Sequence, residues 1–221
     1  TTLNLGAFAD NLISNLTLPD GIPFIAGFNG NLLTKLYLND SIIEIGSSAF
    51  SGNNIWDLKL PSNLQTIGYD AFADNSIVNL DLPETVTTIN SSAFKDNMIN
   101  HVKIPENVTK ITFGTFTNNH IETLELNDNL KSIDGFTSEG PFANNHIEEV
   151  VLATSLNSDG GYAFYNHNLN TIVIPDSVTT LESGVFGANP GGTVYANMLA
   201  GDSGTKLRGY TFDPLIWEIK P

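Results

Sequence analysis

The sequence predicts a mostly β solenoid, one elongated domain of roughly nine stacked coils closed by a C-terminal cap. Three observations carry that prediction. A phenylalanine recurs at a nearly constant interval, apolar columns run at fixed offsets from it, and the period stops after Tyr195.

The interval comes first. The chain writes TTINSSAFKDN from residue 87 and TTLESGVFGAN from residue 179. Its Phe markers stand at Phe8, Phe28, Phe50, Phe72, Phe94, Phe116, Phe142, Phe164 and Phe186, with steps of 20, 22, 22, 22, 22, 26, 22 and 22. The first step is two residues short, and the sixth carries four extra around Gly135-Phe136-Thr137-Ser138-Glu139-Gly140-Pro141. A period in this range marks coils that cannot bury their apolar side alone and stack like on like.

The strand follows from two columns. Leu58, Leu80, Val102, Leu124, Val150 and Ile172 stand eight residues after the Phe, and Leu60, Leu82, Ile104, Leu126, Leu152 and Ile174 stand ten after it. A spacing of two is that of a strand with one buried face. Pro61, Pro83, Pro105 and Pro175 then end it, because proline cannot donate to a ladder. A second apolar pair, such as Leu64 and Ile67, leads back to the next Phe.

The turn follows from a third column. Asn11, Asn31, Asn53, Asn75, Asn97, Asn119, Asn145 and Asn189 stand three residues after the Phe, with His167 as the single substitute. A buried amide at a recurrent bend can serve the backbone groups of its own and adjacent coils. Recurrence in nearly every coil makes the column structural rather than catalytic.

Charge and composition exclude several functions. With 221 residues, 41% hydrophobic and 15% charged, the chain is globular material. Nine Lys plus Arg against 24 Asp plus Glu leave a formal charge of −15, which repels phosphate backbones and anionic headgroups. Nucleic acid is therefore not an expected partner, and no apolar run is long enough for a membrane helix. With no cysteine, disulfides and thiolate chemistry are absent.

Read at residues 53 to 75, NNIWDLKLPSNLQTIGYDAFADN resembles the BspA-type leucine-rich repeat, in an Asn-containing 22-residue variant. The resemblance covers about residues 1 to 195 and implies a right-handed leucine-rich-repeat solenoid. It further implies an extracellular, wall-attached protein of the bacterial cell surface, implicated in adhesion. The family shares no catalytic residues, so none are carried over, and no enzyme activity, metal or cofactor is expected. The chain opens inside a repeated clause and shows no N-terminal cap, so it reads as a piece of a longer protein.

Residues 196–221 keep a dense apolar set without the period, including Met198, Phe212 and Trp217, which reads as the cover of the last coil. Gly201-Asp202-Ser203-Gly204 spells the surroundings of a serine-protease nucleophile, but with no matching fold it reads as a polar turn. Asp159 stands where the repeat expects Ile.

The outward strand positions are the expected binding surface. Nine residues after the Phe the middle of that column reads Lys59, Asp81, Lys103, Glu125, an alternation that should satisfy itself on adjacent strands. Its ends differ. Tyr37 with Trp56 forms an aromatic corner, and Val151, Val173 and Tyr195 form an apolar strip, so these five are the candidate binding residues. Asn119-His120-Ile121-Glu122 recurs as Asn145-His146-Ile147-Glu148, which could gather two imidazoles and two carboxylates; duplication of a solvated turn explains it without a metal. Asn15-Leu16-Thr17 and Asn107-Val108-Thr109 fit a glycosylation acceptor, which has meaning only in a eukaryotic source. The expected function is adhesion by a monomer to a host or matrix protein or glycan. The alternative is a passive spacer that holds another domain away from the cell wall.

Overall fold

Phenylalanine forms the spine. From Phe8 to Phe186 the rings stack coil on coil with centroids 5.0 to 5.9 Å apart and planes within 14° of parallel. The seven rings from Phe50 to Phe186 are fully buried, each adding about 2–3 kcal/mol by leaving water. These coordinates, a computed structural model, describe residues 6, 8–135, 139–156 and 158–221 of the chain. The opening clause lies partly outside the described residues; Phe136, Thr137, Ser138 and the Asp159 side chain lie outside them.

Among the described residues the architecture is a parallel β-solenoid with no helix. Most coils contribute two short strands. The first is centred on the apolar residue at offset eight and ends just before the one at offset ten, as in Lys35–Tyr37, Asp57–Lys59, His101–Lys103, Thr123–Glu125, Glu149–Val151 and Thr171–Val173. The second contains the Ile just before the next Phe clause, as in Glu44–Ile45, Thr66–Ile67 and Thr88–Ile89. Like residues pair in register, Leu36 with Leu58 and Ile45 with Ile67.

The turn between Phe and strand depends on backbone conformation. The residue before the Asn column has positive φ in every coil: Asp10, Gly30, Gly52, Asp74, Asp96, Asn118, Asn144, Asn166 and Ala188 lie between 55° and 65°. Gly, Asn and Asp tolerate that left-handed geometry at low cost, which explains the composition of the column. The next side chain then points inward and fastens two coils. Asn75 Nδ2 donates to the carbonyls of Phe50 at 2.9 Å and Phe72 at 3.2 Å, while its Oδ1 accepts from the Ile55 N–H at 3.0 Å. The same three bonds recur from Asn31 through Asn145 and again at Asn189.

The first-strand ladder is less regular. It falls into three sheets: Lys35–Tyr37 with Asp57–Lys59, His101–Lys103 with Thr123–Glu125, and Glu149–Val151 with Thr171–Val173, Gly192–Tyr195 and Trp217–Lys220. Residues 79–81 form no strand. The expected ladder Lys59–Asp81–Lys103 is therefore not built: Lys103 instead reaches Glu84, 3.1 Å away. The four-residue insertion leaves the spine intact, with Phe116 and Phe142 5.6 Å apart.

Residues 196–221 lose the 22-residue period but not the stacking. Phe212 lies 5.9 Å from Phe186 and extends the ring column, and Trp217–Lys220 adds a strand alongside Gly192–Tyr195. Gly191 makes that approach possible, since a Cβ there would sit 2.3 Å from the Ile216 carbonyl oxygen.

Candidate functional site

The C-terminal sheet brings three of the five candidate residues together. Val151 pairs with Val173, Val173 with Tyr195, and Tyr195 with Lys220, so the apolar strip runs straight across three strands and meets a lysine on the fourth. Val151 is 54% and Tyr195 42% exposed, with Val173 between them half-buried. The row beside it is Glu149, Thr171, Thr193 and Glu218. At the outer edge Lys220 closes on Glu218 at 3.0 Å.

Tyr37 and Trp56 lie at the other end of the array and are 57% and 50% exposed. Both have intramolecular partners. The Tyr37 hydroxyl donates to Asp57, a bond that raises its pKa above the ordinary tyrosine value. The Lys35 ammonium stands 4.7 Å over the Trp56 ring and 3.5 Å from Asp57. The two aromatics make no ring contact with each other among the described residues, so the corner is a mixed polar and aromatic cluster.

His120 and His146 stack with centroids 5.4 Å apart and planes 7° from parallel. Beside them exposed amides form a chain, Asn166 donating to Asn144, Asn144 to Asn118 and Asn118 to Asp96, at 2.7 to 2.8 Å. Glu122 and Glu148 line a different cleft from the imidazoles. No group of three His, Cys, Asp or Glu able to hold a metal occurs among the described residues.

His167 replaces an amide in the Asn column and does only part of its work. Its Nδ1 accepts from the Ile147 N–H at 3.3 Å, but Nε2 is buried without a hydrogen-bond partner. Burial lowers its pKa to about 3, offset only in part by the Phe142 carbonyl, so the ring is neutral at ordinary pH.

The repeat sequence matches a known family model. The BspA type leucine-rich repeat region, in six copies, matches residues 22–137 and 65–191. The chain belongs to the BspA-type leucine-rich repeat family. Two solved structures share the fold of this BspA-type array. A leucine-rich repeat protein from Bacteroides ovatus ATCC 8483 is 24% identical with a TM-score of 0.65, over 86% of this chain and 49% of that one. A leucine rich cell surface protein from Faecalibacterium prausnitzii A2-165 is 19% identical with a TM-score of 0.53, over 86% of this chain and 64% of that one. The chain thus spans 49% and 64% of the lengths of these two proteins. No protein with a curated description matches it in sequence.

Sequence reasoning missed the residue that locks the cap. The Arg208 side chain is 1% exposed; it donates to the carbonyls of Val178 and Asn197 and meets Asp202 at 2.7 Å. Burial alone would raise the Asp202 carboxyl, yet the Leu199 and Arg208 N–H groups and the guanidinium hold it below the usual carboxylate range. The Gly201-Asp202-Ser203-Gly204 turn therefore anchors a buried arginine. The signal was faint, a single Arg in the whole chain.

Proposed function

We propose that this chain is a non-catalytic interaction module of a bacterial cell-surface protein, an adhesin that takes a host or matrix protein or glycan on its strand face. One observation carries the reading: the in-register strip of Val151, Val173 and Tyr195 on a four-stranded sheet. An exposed apolar row on rigid strands loses little entropy when it is covered, and aromatic and apolar anchors of this kind dominate interfaces. Family membership supports a place on the cell surface, as does the shared fold with a protein described as a leucine rich cell surface protein. The reading assigns the module no catalysis, cofactor, nucleic acid or membrane insertion, and has it act as a monomer.

The test is a binding screen of the purified chain on matrix proteins and glycans. Val151→Asp with Val173→Asp, or Tyr37→Ala with Trp56→Ala, should weaken the bound ligand by more than about tenfold with little change in melting temperature. A screen that retains nothing, or double variants that bind like the parent, would hand the molecule to the spacer reading.

A further inference from the structure

The coil stack opens on the strand face between Thr123–Glu125 and Glu149–Val151. Before the opening the coils are clamped: the Ile121 N–H donates to Asn145 Oδ1 at 2.9 Å, and the His146 N–H to the Ile121 carbonyl at 2.9 Å. Beyond it they are clamped again, with Ser132 paired to Ser158 and the Gly160 N–H donating to the Ile133 carbonyl at 2.7 Å. Between these points no backbone hydrogen bond joins residues 122–128 to 148–153 among the described residues. Thr123–Glu125 pairs only with His101–Lys103, and Glu149–Val151 only with Thr171–Val173. Two strand edges thus face each other unpaired across a cleft of about 530 Å³.

The walls of this cleft have a definite chemistry. Leu124 and Leu126 are only half-buried, whereas their counterparts Val102 and Ile104 one coil earlier are buried. The rim carries Glu122, Glu125, Asp128, Glu148 and Glu149, all exposed. None of these carboxylates has an ion-pair partner among the described residues; Asp128 accepts one hydrogen bond, from Thr154 across the gap at 3.0 Å.

We propose that this cleft takes an extended, lysine- or arginine-bearing peptide segment of a partner protein, paired as a fifth strand on the free edge of Glu149–Val151. The proposal rests on the protein-interaction reading above and names the site and the class of partner. A free edge supplies main-chain donors and acceptors to any extended chain, so added strands gain affinity from backbone pairing and specificity from alternate side chains. Here one face of the added strand meets Leu124, Leu126 and Val151, and its cations reach carboxylates that form no ion pair among the described residues. The outer edge of Trp217–Lys220 serves less well, because it presents the Lys220–Glu218 pair, and the edge of Asp57–Lys59 carries a lysine that would repel a cationic strand.

The experiment uses the full chain and a fluorescent peptide of alternating Lys and Val, read by anisotropy at about 50 mM salt. Saturable binding is expected, weakened at least about tenfold by Glu122→Gln, Glu125→Gln, Glu148→Gln and Glu149→Gln together. The same peptide N-methylated at alternate residues should also bind at least about tenfold more weakly, since its charge is intact but it cannot donate to a strand edge. Equal binding of the methylated peptide reduces the effect to bulk charge attraction and overturns the proposal, as does no binding at all or an unaffected quadruple variant. Its melting temperature, expected to be unchanged, guards against unfolding. A ligand found in the screen of the preceding section together with an unbound peptide removes the cleft site and leaves the adhesin reading standing; a blank screen removes that reading without touching this result.

Discussion

The Phe–Asn edge and the strand face are built from the same coils, yet one is continuous and the other is broken. Along the edge the rings stack through every described coil, and the Asn side chains, with His167 in one coil, bond each coil to the one before. On the strand face the ladder stops between Lys59 and His101 and again between Glu125 and Glu149. The difference teaches what holds the stack. An inward amide accepts from a buried N–H that has no other partner and gives each of two buried carbonyls one of its two amide donors, so its loss orphans the N–H and weakens both carbonyls at once. Strand-face backbone groups are near water and can leave the ladder at little cost, which makes that face free to open and to bind.

The largest blow to the edge is Phe94→Ala. It should cost about 3–5 kcal/mol in denaturant melts, because Phe72 and Phe116 are held at fixed stacking distances and cannot collapse into the hole. A loss below about 1 kcal/mol would show that the ring column is not the spine.

His167→Asn sharpens the comparison by mending the edge. The folded pKa of about 3 lies below the ordinary 6.5, so the unfolded chain binds the extra proton and the parent loses stability as pH falls below 6.5. From pH 7 to pH 5 that loss is about 2 kcal/mol. The Asn variant should erase it and gain stability at neutral pH by adding to the Phe142 and Phe164 carbonyls, which already accept from Asn145 and Asn189, the second amide donor found in the other coils. Parent and variant melts with the same pH dependence would remove His167 from this role.

Lys103→Ala is the smallest effect. Lys103 and Glu84 are both exposed, so breaking their pair should leave the melting temperature within about 2 °C of the parent. A larger drop would make the strand face as structural as the edge.

Much of this was legible in the residues. The Phe and Asn columns repeat because identical coils pose identical packing and hydrogen-bonding problems, and a period survives any local irregularity. The apolar strip was legible for the same reason: Val151, Val173 and Tyr195 share one offset, and parallel in-register stacking turns an equal offset into contact. The partners of exposed side chains were not legible. Lys103 chooses Glu84 over Asp81, and Tyr37 chooses Asp57, since long flexible side chains select among several near neighbours. The cap hid its continuity because stacking needs only a ring and a strand in the right place, supplied here by Phe212 and Trp217–Lys220 without the usual spacing.

By itself the sequence determined the coil, its period, its inward columns and the family, all local and repeated properties. Only the tertiary structure decided where neighbouring coils stay paired and where they part. That depends on small differences in coil path summed over distant contacts. Four extra residues after Ile133 leave Phe116 on Phe142 and Ser132 on Ser158, while Leu124 and Leu126 stay half-buried in the opening. A stack clamped at two corners parts at the third, at residues 79–81 without any insertion as well as here, because unpaired backbone is solvated there at least cost.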